Sequence, residues 1–402
     1  MILEILIAMC IGIFIGIFTG LTPGLHVNMV SLLALTFSPI ILHYTTPIGI
    51  AVFIISMCIT HTFLDFIPSV FLGAPNEDTA LSILPGHKLL LMGKAYDAIR
   101  LTVIGSLGGL IFCIVLIPLI IPLFIFVYPF VKLYIGILLI IMVLYMILRD
   151  KHKILSLIVF LFSGILGIFV FSIPNLKDPL FPLLSGLFGI STLLISLSED
   201  TKVPKQDLKP SIFLSKKKIF KSLGLATFAG TLTAFFPGMG TSQGAVIASE
   251  IDRSKSDTKD WEFIILVGGI AMVNFVLSLI TFYTINKGRN GAIVVVQELI
   301  KTISLTQLIL FLSVMLVVAG IATFLTLSIA KVFSNIITKV NYKALVIIIM
   351  IFITSLVFYF NGFIGISILL VSTSIGIIPG KLGIARSHAM GCLILPVIMY
   401  FL

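Results

Sequence analysis

The chain has 402 residues, of which 59% are hydrophobic and only 10% are charged, and its mean hydropathy is +1.24. Because soluble domains carry about 25% charged residues, this composition excludes a soluble globular protein. The net charge of +10 does not indicate nucleic-acid binding, since the basic residues lie largely in loops between apolar segments, where they set membrane topology. We expect a multi-pass protein of the cytoplasmic membrane, in contact with lipid and without nucleic acid.

The first apolar segment, Ile2 to Phe18, lacks the basic start and the small-residue cleavage site of a signal peptide, so we expect it to be retained as a helix. A membrane span needs about 20 apolar residues, and on that criterion roughly ten to twelve hydrophobic segments follow one another along the chain. The predicted fold is all-α and polytopic, with discontinuous helices or re-entrant hairpins among these segments.

A short polar pattern occurs twice within this apolar chain. Residues 16–25 read Gly-Ile-Phe-Thr-Gly-Leu-Thr-Pro-Gly-Leu, and residues 230–239 read Gly-Thr-Leu-Thr-Ala-Phe-Phe-Pro-Gly-Met. The copies align without a gap, and we call the spacing from Gly16 to Gly230 the repeat offset. The basic segment 199–221 separates the two copies and is predicted to be cytoplasmic. The sequence therefore predicts two pseudo-symmetric transmembrane repeats, 1–198 and 222–402, joined by this linker.

Each Pro-Gly pair is predicted to end a helix inside the membrane. A half-helix that starts after the glycine has free backbone N–H groups and a positive dipole end, which suit a carboxylate or a phosphate without any formal positive charge. The predicted anion site consists of Pro23, Gly24, His26, Asn28, Pro237, Gly238, Gly240, Thr241, Ser242 and Gln243. An alternative interpretation is that the glycines allow tight helix crossings and the polar groups join neighbouring helices.

An acidic stretch after the first break is predicted to serve a coupling ion, Na⁺ or H⁺. The oxygen-bearing side chains of this stretch are Asp65, Asn76, Glu77, Asp78 and Thr79. Carboxylates at membrane depth are functional by default, although 76–78 fit a solvated loop equally well. Asp65 lies in an apolar run, and His61 four residues earlier shares its helix face, so the two form either a packed pair or a proton relay.

Near the C-terminus, Pro379-Gly380 is followed by the basic residues Lys381 and Arg386. The favoured interpretation is a loop whose basic side chains reach the membrane surface; alternatively, Arg386 contacts an anionic substrate or a lipid headgroup. The sequence contains no nucleotide-binding loop, zinc signature or Gly-x-Ser-x-Gly elbow. We therefore expect neither an enzyme nor a bound cofactor, and a gradient or a partner protein as the energy source.

The segments around the two breaks resemble a known family. Gly20-Leu21-Thr22-Pro23-Gly24, the stretch from Leu72 to Ala98 and Phe236-Pro237-Gly238-Met239-Gly240 are similar to segments of the large membrane subunit of the tripartite tricarboxylate transporters. The chain resembles a short, divergent branch of that family. The resemblance implies a secondary carrier with pseudo-symmetric halves, which takes up carboxylates together with a small membrane subunit and an extracytoplasmic binding protein.

Three functions remain open at this point. The leading hypothesis is a gradient-driven transporter of a small organic anion, a carboxylate, held at the Pro-Gly helix breaks. The runner-up is a polyprenyl-phosphate translocase, because a phosphate headgroup suits the same half-helix ends. The third is an intramembrane lipid-modifying enzyme that uses His26 or the His61–Asp65 pair as its acid–base group, although no nucleophile accompanies them in the sequence.

Overall fold

The computed structural model describes residues 2–22, 27–73, 81, 83–131, 134–174, 176, 179–198, 204–235, 241–252, 258–337 and 342–402. Within these residues all regular secondary structure is helical, which confirms the predicted all-α class. Seven of the described helices are long and apolar enough to cross a membrane, and four shorter apolar helices accompany them. Their total agrees with the number of hydrophobic segments expected from the sequence.

The helices of the first half are α1 (Ile2–Leu21), α2 (Val27–Thr36), α3 (Ser38–Ile41), α4 (Pro47–Leu64), α5 (Phe66–Leu72), α6 (Ile83–Leu91), α7 (Ala95–Val131), α8 (Ile135–Arg149), α9 (Lys153–Ser172), α10 (Leu180–Leu184) and α11 (Ser191–Ser198). A π-helical segment, Ser185–Ile190, joins α10 to α11.

The helices of the second half are α12 (Lys216–Phe235), α13 (Thr241–Ile251), α14 (Lys259–Ile285), α15 (Gly291–Ile300), α16 (Leu305–Ile337), α17 (Tyr342–Leu382) and α18 (Gly391–Phe401). A 3₁₀ helix, Arg386–Met390, precedes α18. Helix α17 kinks at Gly362, whose φ of 59° is a conformation that glycine adopts without steric cost.

Helices α1 and α4 run parallel and in close contact. At their starts, Glu4 accepts hydrogen bonds from the Thr45 hydroxyl (2.8 Å) and from the Thr46 N–H (2.7 Å). At their ends, a Cβ added to Gly20 would lie 2.9 Å from Leu64 Cβ. Small residues at such crossings let helix backbones approach closely, which is how helices associate where lipid removes the hydrophobic driving force.

Helices α12 and α14 form the corresponding pair in the second half. Lys218 Nζ, near the start of α12, lies 3.4 Å from Glu262 Oε1, near the start of α14. Farther along, a Cβ added to Gly230 would lie 2.8 Å from Val273 Cβ. This pair therefore also runs parallel. In the first half α2 and α3 return the chain from the end of α1 to the start of α4, and in the second half α13 returns it from the end of α12 to the start of α14.

The two pairs run in opposite directions through the molecule. Gly86 of α6 packs on Val70 near the end of the α4–α5 segment, and Lys88 of α6 forms a 2.6 Å ion pair with Asp260 at the start of α14. Helix α6 has only nine residues, about 13 Å in length. The end of the α4–α5 segment and the start of α14 therefore lie at the same face, and α4 is antiparallel to α14.

Helix positions in the two halves correspond closely. Helix α12 begins and ends one repeat offset after α1, since Ile2 corresponds to Lys216 and Leu21 to Phe235. Helix α13 likewise begins one repeat offset after α2. The spacing of the two Pro-Gly motifs thus recurs in the bounds of the helices on either side of them. Helix α12 begins at Lys216, so the last six residues of the predicted linker, 216–221, are helical.

The described part of the linker is anchored to the start of α7. The Gln206 side chain accepts from the Ala95 N–H (3.0 Å) and donates to the Leu90 and Pro204 carbonyls (3.0 and 2.8 Å). The Asp97 carboxylate accepts from the Ser211 N–H (2.9 Å) and hydroxyl (2.7 Å). These hydrogen bonds pair buried polar groups of the linker with polar groups at the end of α6 and the start of α7, as buried polar groups require.

One sequence interpretation is wrong. Pro379-Gly380 was expected in a loop, whereas α17 continues through both residues to Leu382. Proline is tolerated inside membrane helices because neighbouring groups and small local adjustments compensate for the lost hydrogen bond. The chain leaves the helix only at Gly383, which has a φ of 66°.

The contact between α7 and α14 makes a testable prediction. A Cβ added to Gly105 would overlap the Ile265 carbonyl, whereas one added to Gly224 of α12 would meet no atom within 4 Å. Gly105→Ala should therefore lower stability by about 1–3 kcal/mol, the usual range for overpacking. Gly224→Ala should change it by less than about 1 kcal/mol. Thermal unfolding midpoints in one detergent compare the two, and equal midpoints would contradict the close contact.

Candidate functional site

Part of the predicted site lies outside the described residues. This applies to Pro23, Gly24, His26, Pro237, Gly238 and Gly240 of the anion site and to Asn76, Glu77, Asp78 and Thr79 of the coupling-ion site. The structure places the other predicted residues: Asn28, Asp65, Thr241, Ser242, Gln243 and Arg386.

The helices on either side of the second Pro-Gly motif form a hairpin. Helix α12 ends at Phe235 and α13 begins at Thr241. Helix α13 packs back on α12, since a Cβ added to Gly244 would lie 2.8 Å from Thr233 Cγ2 and 3.4 Å from the Ala229 carbonyl oxygen. The end of α12 and the start of α13 therefore lie together, away from the end of the molecule where α12 begins.

The end of α12 lies beside the middle of α14, a helix long and apolar enough to cross a membrane. Asn274 Nδ2 of α14 donates a 2.7 Å hydrogen bond to Thr233 Oγ1, close to the end of α12. Asn274 is fifteen residues after the start of α14, which spans Lys259–Ile285, so it lies about 22 Å along a helix of about 40 Å. Backbone groups freed at that depth need partners in protein or ligand.

The start of α13 offers buried donors and one acceptor without a partner. Thr241, Ser242 and Gln243 are 3%, 2% and 1% exposed. Gln243 Oε1 is buried and has no hydrogen-bond partner in the described part of the chain. A buried polar atom left unpaired costs about 1–3 kcal/mol, which makes Gln243 a candidate ligand-binding residue.

The first break has a similar layout. Helix α1 ends at Leu21 and α2 begins at Val27, with Asn28 in the first turn of α2. A Cβ added to Gly291, the first residue of α15, would lie 2.7 Å from Asn28 Cγ. Asn28 therefore belongs to the first hairpin and packs against α15, while Thr241, Ser242 and Gln243 belong to the second hairpin.

A buried polar chain lies beside the first hairpin. His61 Nδ1 is 3.2 Å from Thr19 Oγ1, and His61 Nε2 is 3.9 Å from Asp65 Oδ2, as the i, i+4 spacing predicts. Asp65 is 4% exposed and separates α4 from α5. The imidazole therefore bridges the end of α1 and a carboxylate inside the span Pro47–Leu72.

The threonines at corresponding positions of the two hairpins contact different kinds of side chain. Thr233 follows Thr19 by one repeat offset, and each threonine meets a polar side chain of the neighbouring long helix. In the first half this side chain is the titratable His61, and in the second it is the neutral Asn274. Sequence analysis missed the role of Asn274; the available signal was its position one repeat offset after Thr60, the neighbour of His61.

Arg386 lies at the start of the 3₁₀ helix, where its guanidinium donates to the Thr192 hydroxyl of α11. Among the described residues, no group of three or more His, Cys, Asp or Glu side chains is placed to hold a metal ion.

Comparison with known proteins identifies the family. Residues 6–391 match the sequence profile of the Tripartite tricarboxylate transporter TctA family. An uncharacterized protein of Methanocaldococcus jannaschii is 34% identical over 388 residues, which cover 94% of each chain. No solved structure matches the chain significantly. The chain belongs to the TctA family, a family of transporter components, and is a multi-pass membrane protein.

Two buried glutamines give a matched test of the hairpin tip. Gln206 makes three hydrogen bonds to backbone groups, so Gln206→Leu should lower stability by about 1–3 kcal/mol because these bonds are lost and the Ala95 N–H loses its side-chain acceptor. Gln243→Leu removes an unpaired buried amide oxygen and should raise the stability of ligand-free protein by about 1 kcal/mol.

Unfolding midpoints of the two variants, in the same detergent and without added anions, measure this difference. If Gln243→Leu destabilises the protein as much as Gln206→Leu does, Gln243 is a structural residue and not a ligand group.

Proposed function

We propose that this TctA-family protein is a secondary transporter of a small organic anion, a carboxylate, across the cytoplasmic membrane. The anion binds at the tips of the hairpins α1–α2 and α12–α13. The observation that carries this proposal is the buried start of α13, where Gln243 Oε1 has no partner among the described residues. Three consecutive polar side chains are buried there, and a few convergent polar groups in an otherwise apolar setting are typical of small-molecule sites.

The start of α13 suits a carboxylate without a fixed cation. The first N–H groups of a helix have no partner within the helix, and the helix dipole adds about half a positive charge there. The Thr241 and Ser242 hydroxyls and the Gln243 amide lie on the same turn. A neutral site of this kind binds an anion and also releases it, as a transport cycle requires.

The opposite directions of the two helix pairs support alternating access. We propose that residues 1–198 and 222–402 are inverted repeats, because α4 is antiparallel to α14 and the helix bounds recur at the repeat offset. Each hairpin then enters from a different side of the membrane, and both tips reach toward the middle. Transporters built this way bind substrate between the repeats and expose it to each side in turn.

The first hairpin is the proposed site of the coupling ion, Na⁺ or H⁺. His61 and Asp65 are the titratable pair beside its tip, and Asn76, Glu77, Asp78 and Thr79 remain predicted contributors. In the second half the corresponding contact is made by Asn274, which does not titrate. Coupling is therefore assigned to the first half.

The proposed partners follow from the family. The word tripartite in the family description supports a complex with a small membrane subunit and an extracytoplasmic binding protein that delivers the anion.

Substrate class is tested by thermal stabilisation of the purified protein. We expect saturable stabilisation by one or more compounds from a panel of di- and tricarboxylates, because a ligand that binds only the folded state adds about 2.7 kcal/mol at a hundredfold excess over Kd. Gln243→Leu should weaken this binding at least tenfold. Gln307→Leu should bind normally, since Gln307 only caps the start of α16.

Polyprenyl phosphate is included in the same panel. Stabilisation by this lipid alone would replace the carboxylate proposal with a lipid-phosphate translocase. Unchanged carboxylate binding in Gln243→Leu would refute the hairpin site.

Coupling is tested with proteoliposomes that hold a Na⁺ or a pH gradient. Asp65→Asn should abolish gradient-driven accumulation of the carboxylate while exchange of internal for external carboxylate continues, because only the ion site is lost. The control is Asp97→Asn, since Asp97 is also buried, at 2% exposure, but binds the linker. Undiminished accumulation by Asp65→Asn would exclude Asp65 as the coupling site.

A further inference from the structure

A cavity of about 290 Å³ lies at the face of the molecule where α14 begins. Its wall combines both halves of the chain: Thr192 comes from α11, Ser249 from α13, Asp260 from α14, and Arg386 with Ser387 from the 3₁₀ helix. The volume is at the small end of ligand pockets, which span roughly 300–1,000 Å³. It suits a small anion or a single headgroup and not a whole lipid.

Arg386 is a charged group of this cavity that no described residue neutralises. Its guanidinium carries five N–H donors, yet among the described residues it makes one hydrogen bond, to Thr192, and no ion pair. The Thr192 hydroxyl in turn donates to the Phe188 carbonyl (2.5 Å). Burial lowers the pKa of Arg386 below its ordinary value, which is the sign of a cation that has lost water without gaining an anion.

The nearby carboxylates of the described chain are already engaged. Asp150 accepts from the Ala385 N–H (3.3 Å) and lies 2.9 Å from His388 Nε2. Asp260, which lines the same cavity, is paired with Lys88 at 2.6 Å. Each of these acidic groups therefore has its own partner, and the guanidinium shares the cavity with the hydroxyls of Ser249 and Ser387.

We propose that this cavity is a second anion-binding site, in which the Arg386 guanidinium and the Ser387 hydroxyl donate to a phosphate or carboxylate group, beside the walls formed by Thr192 and Ser249. Arginine suits planar, two-oxygen contacts with such groups. The site goes beyond the proposed transport function, because it is separate from the hairpin tip: Ser249 lies six residues after Gln243, about 9 Å along α13.

The single tryptophan of the chain reports on this cavity. Trp261 lies between Asp260 and Phe263, both of which line the cavity, and it is thirteen residues, about 20 Å, from Asn274 at the hairpin tip. Inorganic phosphate and citrate are titrated separately into protein in neutral-lipid nanodiscs. At least one of them should give a saturable change in Trp261 emission, with a matching rise in the unfolding midpoint.

Three variants separate the sites. Arg386→Gln should lose the Trp261 response or weaken it at least tenfold. Arg149→Gln should keep it, because Arg149 pairs with Glu250 (2.7 Å) and does not line the cavity. Gln243→Leu should also keep it, so loss of the hairpin site and loss of this site are distinguishable.

Nanodiscs with phosphatidic acid distinguish the source of the anion. If the lipid headgroup occupies the site, these discs change Trp261 emission without added anion, and the change is absent in Arg386→Gln. If a free anion occupies the site, the emission changes only when phosphate or citrate is added. The proposal is overturned if neither source alters the emission or the midpoint, or if Arg386→Gln responds like the unmodified protein.

Discussion

A helix that stops inside a lipid bilayer leaves backbone groups that only protein or ligand can satisfy, and this constraint organises the whole molecule. Two helices, α1 and α12, each end beside the middle part of a longer helical segment, the α4–α5 segment or α14. Glycines bring the backbones together, so that Gly16 meets Thr60 and Gly230 meets Val273. The described ends of both hairpins are thus packed against protein, and in our account the start of each returning helix is where an anion binds.

The antiparallel arrangement of α4 and α14 extends this local geometry to the whole chain. Two ion pairs between the halves lie at the face where α14 begins: Lys88 with Asp260 and Arg149 with Glu250. The second ion pair ties α8 to the end of α13, so the second hairpin is held by the first half. In our account, each half supplies one hairpin. The titratable pair His61–Asp65 lies beside the first hairpin and the neutral Asn274 beside the second. We therefore assign ion coupling to the first half and anion binding chiefly to the second.

Much of this was predictable from sequence. Composition gave the all-α membrane class, two Pro-Gly pairs located the hairpins, and the spacing of His61 and Asp65 placed them side by side. Long-range partners were not predictable, because uniformly apolar helices have little periodicity to show which face meets which neighbour. The contacts of Asn274 with Thr233, of Gln206 with α7 and of Arg386 with Thr192 are of this kind. The predicted loop at Pro379 was wrong for a related reason, since tertiary packing lets α17 continue through this proline.

The central claim is that the start of α13 binds the transported anion. An electron cryomicroscopy map of the protein in nanodiscs, with a saturating carboxylate and without it, tests this most directly. Our account predicts ligand density within hydrogen-bond distance of the Gln243 amide and the first N–H groups of α13, present only with the carboxylate. A ligand-free map in which a protein group is bonded to Gln243 Oε1, and a liganded map with no added density there, would contradict it.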